Sequence, residues 1–550
     1  MSEIAVRIQG ATHRVASGTT LAQLASQTAK KPLEVLAAVL DNHVVGLSTP
    51  IMAEAQLEWL DANDARALDV LHRTIATMLQ ACAKKRYPTL TLHVGQALLR
   101  GYYFEVTGPN AASLDLEQVA ATLTADLMAL AEADVAFERS SLPLEAAVHQ
   151  LTDPEGSKAA LLATWASPTA ALVRLGEFTD LAHGPSAPST RHGKGARVMA
   201  YPPGLVLLFP AAARDVRPDQ ARQLWRTYSE TRDWNRKVGV STIGDLNRAT
   251  LEGRVGDVQK IAEALHEKKI VAIADAIATH PEPVRIICIA GPSSAGKTTF
   301  VRRLSVQLRV NGIEPVILGL DDYYKNRVDC PRDADGNFDF EALEALELEL
   351  IHEHFQGLLA GHEVKPPRFD FVAGVRADDA HPPVRLAANQ VLLVEGIHGL
   401  NPALTTGCPR AALFRIYINA LTQLSIDTHN RSSTTDQRLL RRIVRDRRYR
   451  GTPAAETIQR WPSVRRGEEL HIFPHEDQAD ATFNSALMYE TAVLKTFAWR
   501  YLLEVPRSHP SRVHAYRLLK LLDLYVPVFP DEVPATSVLR EFIGGSGFAY

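Results

Sequence analysis

A glycine-rich loop between an apolar strand and a helix constrains the fold of this chain more than any other feature. The run VRIICIA, which starts at Val284, is almost continuously apolar, as is typical of a strand buried on both faces of a parallel sheet. It leads into GPSSAGKTTF, a match to the spacing G-x-x-x-x-G-K-[ST], and a second apolar strand, PVILGL, comes after Asn311 and Gly312. The sequence therefore predicts an α/β domain with a parallel sheet and helices on both of its faces.

The residue types in this loop indicate a site for the phosphates of a nucleotide. Glycines let backbone N–H groups converge on phosphate oxygens, and the helix N-terminus adds the positive end of its dipole. Lys297 supplies a charge to the β and γ phosphates, and the Thr298 hydroxyl is placed to bind Mg²⁺. We expect ATP and Mg²⁺ as cofactors, with the nucleotide held by Gly291, Pro292, Ser293, Ser294, Ala295, Gly296, Lys297, Thr298 and Thr299.

Acidic residues come after two further apolar strands. Asp321 lies directly after VILGL, at the strand end where ligands lie in open α/β sheets, and a carboxylate there can accept a hydroxyl proton beside the γ-phosphate. Glu395 closes the strand QVLLVE and is predicted to bind Mg²⁺ together with Thr298. The alternatives are a turn or helix-capping role for Asp321 and a solvent-facing strand end for Glu395.

Eight arginines lie between residues 431 and 450. Arg438, Arg441, Arg442 and Arg445 recur at helical spacing opposite an apolar stripe. A solvated basic helix face is the simple interpretation, but a phosphate site needs cations, and guanidinium groups fork onto phosphate oxygens. We therefore predict a lid over the site, with Arg441 and Arg445 among the catalytic residues and Arg438 among those that bind substrate.

Composition excludes several classes of protein. At about 100–200 residues per domain, 550 residues predict several units. Lys and Arg total 60 against 63 for Asp and Glu, a formal net charge of −3, so any contact with a polyanion must be local. The four cysteines show no metal-binding or disulfide-framework spacing, and neither a signal peptide nor a membrane span is expected. A cytoplasmic protein is predicted.

The first half of the chain predicts two smaller units. Up to about residue 62 the pattern is strand, turn, strand, helix, strand, typical of a small β-grasp domain. Residues 63–230 predict an α+β domain, with a helix at 65–83 and a strand-like stretch at 89–107. Residues 231–283 are expected to be a helical linker containing one long helix at 248–279, followed by a domain at 284–500 and a helical extension at 501–550.

Several motifs after residue 284 resemble those of the uridine kinases within the phosphoribulokinase and uridine kinase family. These are GPSSAGKTTF, LDDYYK, GNFDFEALEA, PPRFDF, VLLVEGIHGL and RLLRRIVRDRRYRG, in that family's order. The resemblance implies that Asp321 is the base that activates a ribose 5′-hydroxyl. It also implies that Tyr324, Phe338, Asp339 and Phe369 contact the nucleoside, with Asp339 on sugar hydroxyls.

The chain departs from this family where the base is recognised. The pyrimidine kinases that it resembles carry a tyrosine and a histidine at the positions of Phe369 and Gly374. A site without those hydrogen-bonding groups loses discrimination. The acceptor is therefore open: a nucleoside, or another alcohol such as a sugar or a pantothenate-like molecule.

The first half of the chain resembles threonyl-tRNA synthetases, with a TGS domain at 1–62 and that enzyme's second additional domain at 63–230. The motifs that carry the resemblance are Tyr87-Pro88, HVGQALLRGYYFEV and FTDLAHGP. The resemblance places Arg73, Thr77, Ala182 and Ser186 where the synthetase has the histidines and cysteine of its editing site. His72 is one residue out of register, so deacylase activity is not expected.

The sequence as a whole predicts an ATP- and Mg²⁺-dependent kinase that phosphorylates a nucleoside-like hydroxyl. The alternative from another class is an ATP-switched regulatory protein that binds tRNA or the ribosome. Residues 62–140 are rich in Asp, Glu and Ala, which disfavours a tRNA partner. A homo-oligomer without membrane contact is expected.

Overall fold

The computed structural model describes residues 3–151, 153, 155–210, 216, 221–333, 336, 338–370, 373–378 and 380–549. Asn337 and Phe371, which belong to two of the motifs above, lie outside the described residues. Among the described residues, none of the helices combines the length and the apolar content needed to cross a membrane.

The chain begins with a five-stranded mixed sheet of order β2-β1-β5-β3-β4, in which β1 and β5 are parallel. The Thr20 side chain and the Gln23 side chain form a capping box at the start of the helix that packs on this sheet. The order strand, turn, strand, helix, strand is confirmed for the elements β1 (Glu3–Ile8), β2 (Ala11–Ala16), α1 (Leu21–Thr28), β3 (Ala37–Leu40), β4 (His43–Val45) and β5 (Ala55–Leu60).

The second part contains a four-stranded antiparallel sheet of order β11-β12-β7-β6 and a three-stranded sheet of order β10-β9-β8. Its elements are α2 (Leu68–Arg86), β6 (Thr91–Leu98), β7 (Gly101–Thr107), α3 (Leu116–Glu132), β8 (Glu138–Pro143), α4 (Leu144–Gln150), α5 (Ser157–Leu162), β9 (Thr169–Leu175), β10 (Phe178–Leu181), β11 (Arg197–Tyr201) and β12 (Gly204–Leu208).

The strand-like stretch predicted at 89–107 consists of two strands, β6 and β7, which pair as a hairpin. Its two turn residues, Leu99 and Arg100, both have positive φ, at 53° and 60°. Glycine or asparagine usually occupies such positions, so this turn has no sequence signal.

Three helices connect the second part to the last sheet: α6 (Arg222–Val238), α7 (Ile243–Leu251) and α8 (Val255–Ala278). The prediction of one helix at 248–279 was wrong, because the chain breaks at residues 252–254, where Gly253 has a φ of +74°. The apolar face of α8, including Ile270 and Ile273, packs into the same core as the helix after the glycine-rich loop.

The last sheet has five strands in the order β14-β17-β13-β18-β19, and all of them are parallel, as predicted. The strand and helix elements of this half are β13 (Ile286–Ala290), α9 (Lys297–Val310), β14 (Glu314–Gly319), α10 (Leu348–Leu359), β15 (Arg368–Asp370), β16 (Val375–Ala377), β17 (Gln390–Glu395), β18 (Leu413–Asn419), α11 (Thr434–Tyr449), α12 (Ala454–His471), β19 (Ala481–Asn484), α13 (Glu490–Leu503), α14 (Arg512–Asp523) and α15 (Arg540–Ile543).

One apolar core joins the late helices to the middle of the chain. It contains Leu440 of α11, Leu494 of α13, Leu518 of α14, Ile243 of α7 and Leu161 of α5, each fully buried. The C-terminal segment therefore packs back on the body, and Glu541 of this segment contacts the glycine-rich loop.

Candidate functional site

The glycine-rich loop lies between β13 and α9, at the carboxyl edge of the parallel sheet. A side chain at Gly291 would place its Cβ 2.2 Å from the Ile418 carbonyl oxygen, so only glycine lets the loop pass this strand. Gly296 precedes the helix with a φ of +79°. The backbone of this loop thus leaves the first amides of α9 directed toward the site.

The ammonium group of Lys297 folds back onto its own loop. Its Nζ donates to the carbonyl oxygens of Gly291 at 2.9 Å and of Pro292 at 3.3 Å. These contacts hold the charge at the centre of the loop, where the phosphates of a nucleotide would lie.

Thr298 and Glu395, predicted as the metal pair, are in contact. The Thr298 hydroxyl donates to Glu395 Oε1 at 3.0 Å. Burial raises the pKa of Glu395 to about 7, with repulsion from Glu541 and Asp321 adding to the effect and Lys297 opposing it. Burial thus disfavours the ionised form of Glu395, and a nearby cation would stabilise that form.

This donor set fits Mg²⁺, which takes few protein oxygens and completes its coordination with phosphate and water. No group of three or more His, Cys, Asp or Glu residues is arranged to hold a metal within the described part of the chain. Thr298 and Glu395 would accordingly hold Mg²⁺ only together with a nucleotide. His471 and His475, which Pro474 separates, form no such group either.

Asp321 lies after β14 at the same sheet edge. It makes no hydrogen bond or ion pair with another described residue, and part of it reaches solvent. Loss of hydration among the surrounding protein atoms raises the pKa of its carboxyl, and the nearby charges of Lys297, Arg450 and Arg445 act in the opposite direction. The carboxyl is thus close to the charges of the loop and open to an acceptor.

Glu341 is a further carboxylate of the site, which sequence reasoning did not single out. Burial raises its pKa to about 7, with Arg442 opposing this shift and Glu468 adding to it. Lys297 and Asp321 also act on it, so it belongs to the same cluster of charges. Its position two residues after Asp339 in the GNFDFEALEA motif is the only signal that could have identified it.

Two of the four arginines predicted for the lid are buried in ion pairs. Arg441 is fully buried, donates to both oxygens of Glu490 at 2.5 and 2.8 Å, and reaches the Ser294 carbonyl at 3.2 Å. Arg438 is also buried and forms an ion pair with Glu468. These two buried ion pairs connect α11 to α12 and α13.

The other two predicted lid residues, Arg442 and Arg445, are less buried than Arg438 and Arg441. Arg442 Nη1 donates to the Ser293 hydroxyl of the loop at 2.8 Å. Arg445 pairs with Asp446 and is close enough to Asp321 to act on its pKa. Of the predicted lid residues, Arg441 and Arg442 contact the glycine-rich loop, and Arg445 acts on Asp321.

Two carboxylates from later helices contact the backbone of the loop. Glu541 of α15 accepts from the Thr299 amide at 3.2 Å and from the Thr299 hydroxyl at 2.8 Å. Glu468 of α12 accepts from the Ser293 amide at 3.1 Å. These amides are groups that bind phosphate oxygens in a loop of this type, so two protein carboxylates stand where phosphates would bind.

Of the residues predicted to contact the acceptor, Tyr324 is close enough to Asp321 for that carboxyl to contribute to the raised pKa of the Tyr324 hydroxyl, although burial is the main cause. The rings of Tyr324 and Phe369 are 5.7 Å apart, and the Tyr324 hydroxyl donates to the Phe340 carbonyl at 2.9 Å. Phe338 packs under the guanidinium of Arg332. These contacts bring Tyr324 and Phe369 together as one aromatic wall.

Asp339 and Gly374 determine which polar groups the predicted acceptor site offers. The Asp339 carboxylate accepts from the Glu341 amide at 3.1 Å, which leaves its second oxygen to other contacts. Gly374 has a φ of +71°, and a Cβ at this position would lie 2.7 Å from Arg327 Nε. A histidine at Gly374 would require Arg327 to move.

Three of the four positions expected from the editing-site comparison line a cavity in the first half. These are Arg73 and Thr77 on α2 and Ala182 after β10. His72 does not face it as a ligand: its ring stacks on Phe209 at 3.8 Å, and burial lowers its pKa to about 4. His72 is therefore a packed histidine, as expected.

Residues 286–492 match the model of the phosphoribulokinase/uridine kinase family. The uridine kinase of Halobacterium salinarum is 30% identical over 199 residues, which are 36% of this chain and 79% of that kinase. A solved structure described as a possible uridine kinase from Bacillus stearothermophilus is 20% identical and covers 40% of this chain and 98% of its own, with a TM-score of 0.28.

The first half of the chain is similar to a different group. The threonine–tRNA ligase of Pelobacter propionicus is 29% identical over 205 residues, which are 36% of this chain. The chain spans only 31% of that ligase. With its second half matched to a kinase model and most of a uridine kinase covered at 30% identity, the chain belongs to the phosphoribulokinase/uridine kinase family.

Proposed function

We propose that this protein transfers the γ-phosphoryl group of ATP to the hydroxyl of a nucleoside or a nucleoside-like small molecule. The observation that carries the proposal is the contact between Thr298 and Glu395 beside Lys297, with Asp321 at the same sheet edge. Such an arrangement would position a triphosphate and an alcohol for in-line attack. Bound Mg²⁺ would neutralise charge on the phosphates.

Different residues of the chain would bind, stabilise and deprotonate the reacting groups. The amides of the loop and Lys297 bind the phosphates, and Arg442 and Arg445 stabilise charge that develops during transfer. Asp321 accepts the proton of the attacking hydroxyl. Because loss of hydration raises its pKa, Asp321 binds a proton more tightly than a solvated carboxyl does, which suits a general base.

The acceptor site has an aromatic face and few polar groups that recognise a base. Tyr324 and Phe369 would stack against a flat or apolar part of the acceptor, and the free oxygen of Asp339 would bind its hydroxyls. Since Gly374 offers no side chain and Arg327 lies against it, the site has less selectivity for pyrimidines than a site with two polar recognition groups. A sugar or a pantothenate-like alcohol is therefore the alternative acceptor.

The first half would act as a TGS-like domain followed by a synthetase-like domain without deacylase chemistry. The four cysteines form no disulfide, which fits a reducing compartment such as the cytoplasm. A regulatory protein that binds tRNA or the ribosome and is switched by ATP is a second candidate function. It is favoured by one observation, the carboxylates of Glu468 and Glu541 on the loop amides.

A panel of nucleosides, sugars and pantothenate-like alcohols tests the proposal. ADP release and the phosphorylated product are measured together for the full chain and for Asp321→Asn, which should retain nucleotide binding. The proposal predicts acceptor-dependent ADP release with a phosphorylated alcohol as product. ATP hydrolysis that no acceptor stimulates, combined with tRNA binding that depends on ATP, would favour the regulatory function instead.

A further inference from the structure

The cavity that Arg73, Thr77 and Ala182 line lies between the first half of the chain and the segments around α11 and α14, away from the glycine-rich loop. Its volume is about 1530 Å³. Its wall includes the β3–β4 turn, helix α2, Arg139, the segments 161–167 and 180–185, the segment 426–436 at the start of α11, and helix α14. Polar and charged side chains dominate the wall, so a polar occupant fits it.

Two guanidinium groups in this wall form no ion pair with a carboxylate of the described residues. Arg73 Nη1 donates to the Pro185 carbonyl at 2.8 Å, and Arg139 Nη1 donates to the Gly184 carbonyl at 3.3 Å. Loss of hydration lowers the pKa of Arg73, Asp69 opposes this shift, and repulsion from Arg139 adds to it. The two cations are therefore close neighbours.

The nearby carboxylates are already paired with other cations. Arg517 Nη1 contacts Asp69 at 3.1 Å and Asp436 at 2.5 Å, so it joins α2 to the first turn of α11. Asp180, in the same wall, pairs with Lys158 at 2.6 Å. The positive charge of Arg73 and Arg139 is therefore compensated only in part, and an anion would be attracted there.

Buried polar atoms without a partner lie in the same wall. Asp436 Oδ1 and Ser432 Oγ have no hydrogen-bond partner among the described residues, although these residues are only 6% and 7% exposed. Such atoms are costly unless a ligand or water binds them. Alternating charges line one side of the cavity. Arg73 and Asp69 are one helical turn apart on α2, and Arg517 links Asp69 to Asp436.

We propose that this cavity binds a small molecule that carries a phosphate or carboxylate group together with an amine or hydroxyl group. Arg73 and Arg139 hold the anionic group, and Asp436 Oδ1 and Ser432 Oγ accept hydrogen bonds from the other group. The site is separate from the kinase site, and α11 connects the two, since Arg442 of the same helix contacts the loop.

Calorimetric titration of the full chain tests this site. The probes are O-phosphoserine, which carries a phosphate and an amine, L-glutamate, which carries carboxylates and an amine, glycerol as an uncharged probe, and a short single-stranded RNA. We expect O-phosphoserine or L-glutamate to bind saturably and glycerol not to bind. Which of the two binds distinguishes a phosphate ligand from a carboxylate ligand.

Variants place the binding in the cavity. Arg139→Gln, at an exposed side chain, should weaken binding of the probe about tenfold or more, because it removes a charge-assisted hydrogen bond to the anionic group. Ser432→Ala should weaken it as well, because Ser432 Oγ has no partner among the described residues. Arg100→Gln, at an exposed arginine outside the cavity, and Lys297→Ala should leave binding unchanged.

Three results would overturn the proposal. They are the absence of binding by both O-phosphoserine and L-glutamate, binding that Lys297→Ala abolishes and Arg139→Gln does not affect, and binding of the RNA alone. Because Lys297→Ala disables only the kinase site, failure of this proposal is distinguishable from failure of the proposed kinase function.

Discussion

Replacement of Glu541 by glutamine should make the protein bind ATP more tightly. Glu541 Oε2 accepts from the Thr299 amide at 3.2 Å and from the Thr299 hydroxyl at 2.8 Å. A hydrogen bond to a charged group is worth about 1 kcal/mol more than a neutral one, so Glu541→Gln weakens this pair of contacts by about 2 kcal/mol. If the nucleotide must displace Glu541, its apparent affinity rises by at most about 30-fold.

Titration with a fluorescent ATP analogue in the presence of Mg²⁺ measures this effect. Asp531→Asn is the matched control. It removes one exposed negative charge from the same C-terminal extension, 501–550, that contains Glu541. The control should bind ATP as the unaltered protein does. An affinity for ATP that is unchanged or lower in Glu541→Gln, with a normal control, would refute the reasoning that this carboxylate competes with phosphate.

Three further predictions concern catalysis, metal binding and stability. Asp321→Asn should reduce phosphoryl transfer by orders of magnitude while ATP affinity stays within a few-fold, as separate rate and binding measurements will show. Because the pKa of Glu395 is raised to about 7, binding of Mg²⁺–ATP at pH 6.5 should release a proton, which calorimetry in two buffers detects. The Mg²⁺ concentration that activity requires should rise as the pH falls below 7. A binding enthalpy that does not depend on the buffer would contradict this prediction. Arg441→Met should cost about 3–5 kcal/mol of unfolding free energy in urea, because it leaves Glu490 buried and unpaired, whereas Arg447→Met, at an exposed ion pair, should cost less than about 1 kcal/mol.

The sequence predicted the parallel sheet and the loop because local patterns carry both. A run of apolar residues defines β13, and the glycines and Lys297 define the loop and the start of α9. The contact between Thr298 and Glu395 was also predictable, since parallel strands bring their carboxyl ends to one edge of the sheet.

Contacts between distant parts of the chain had no such signal. Glu541 is 242 residues from Thr299, and Glu468 is 175 residues from Ser293, so no local pattern connects them to the loop. The burial of Arg438 and Arg441 could not be predicted, because Glu468 and Glu490, their partners on later helices, have no local signal that connects them to α11.

A crystal structure of the full chain with Mg²⁺ and a non-hydrolysable ATP analogue tests the central claim most directly. We expect the β and γ phosphates in the loop beside Lys297, Glu541 displaced from Thr299, and the Asp321 carboxylate facing the γ-phosphorus across a space that an alcohol can enter. A structure in which Glu541 keeps its place on the Thr299 amide and Asp321 is directed away from the terminal phosphate would contradict the account.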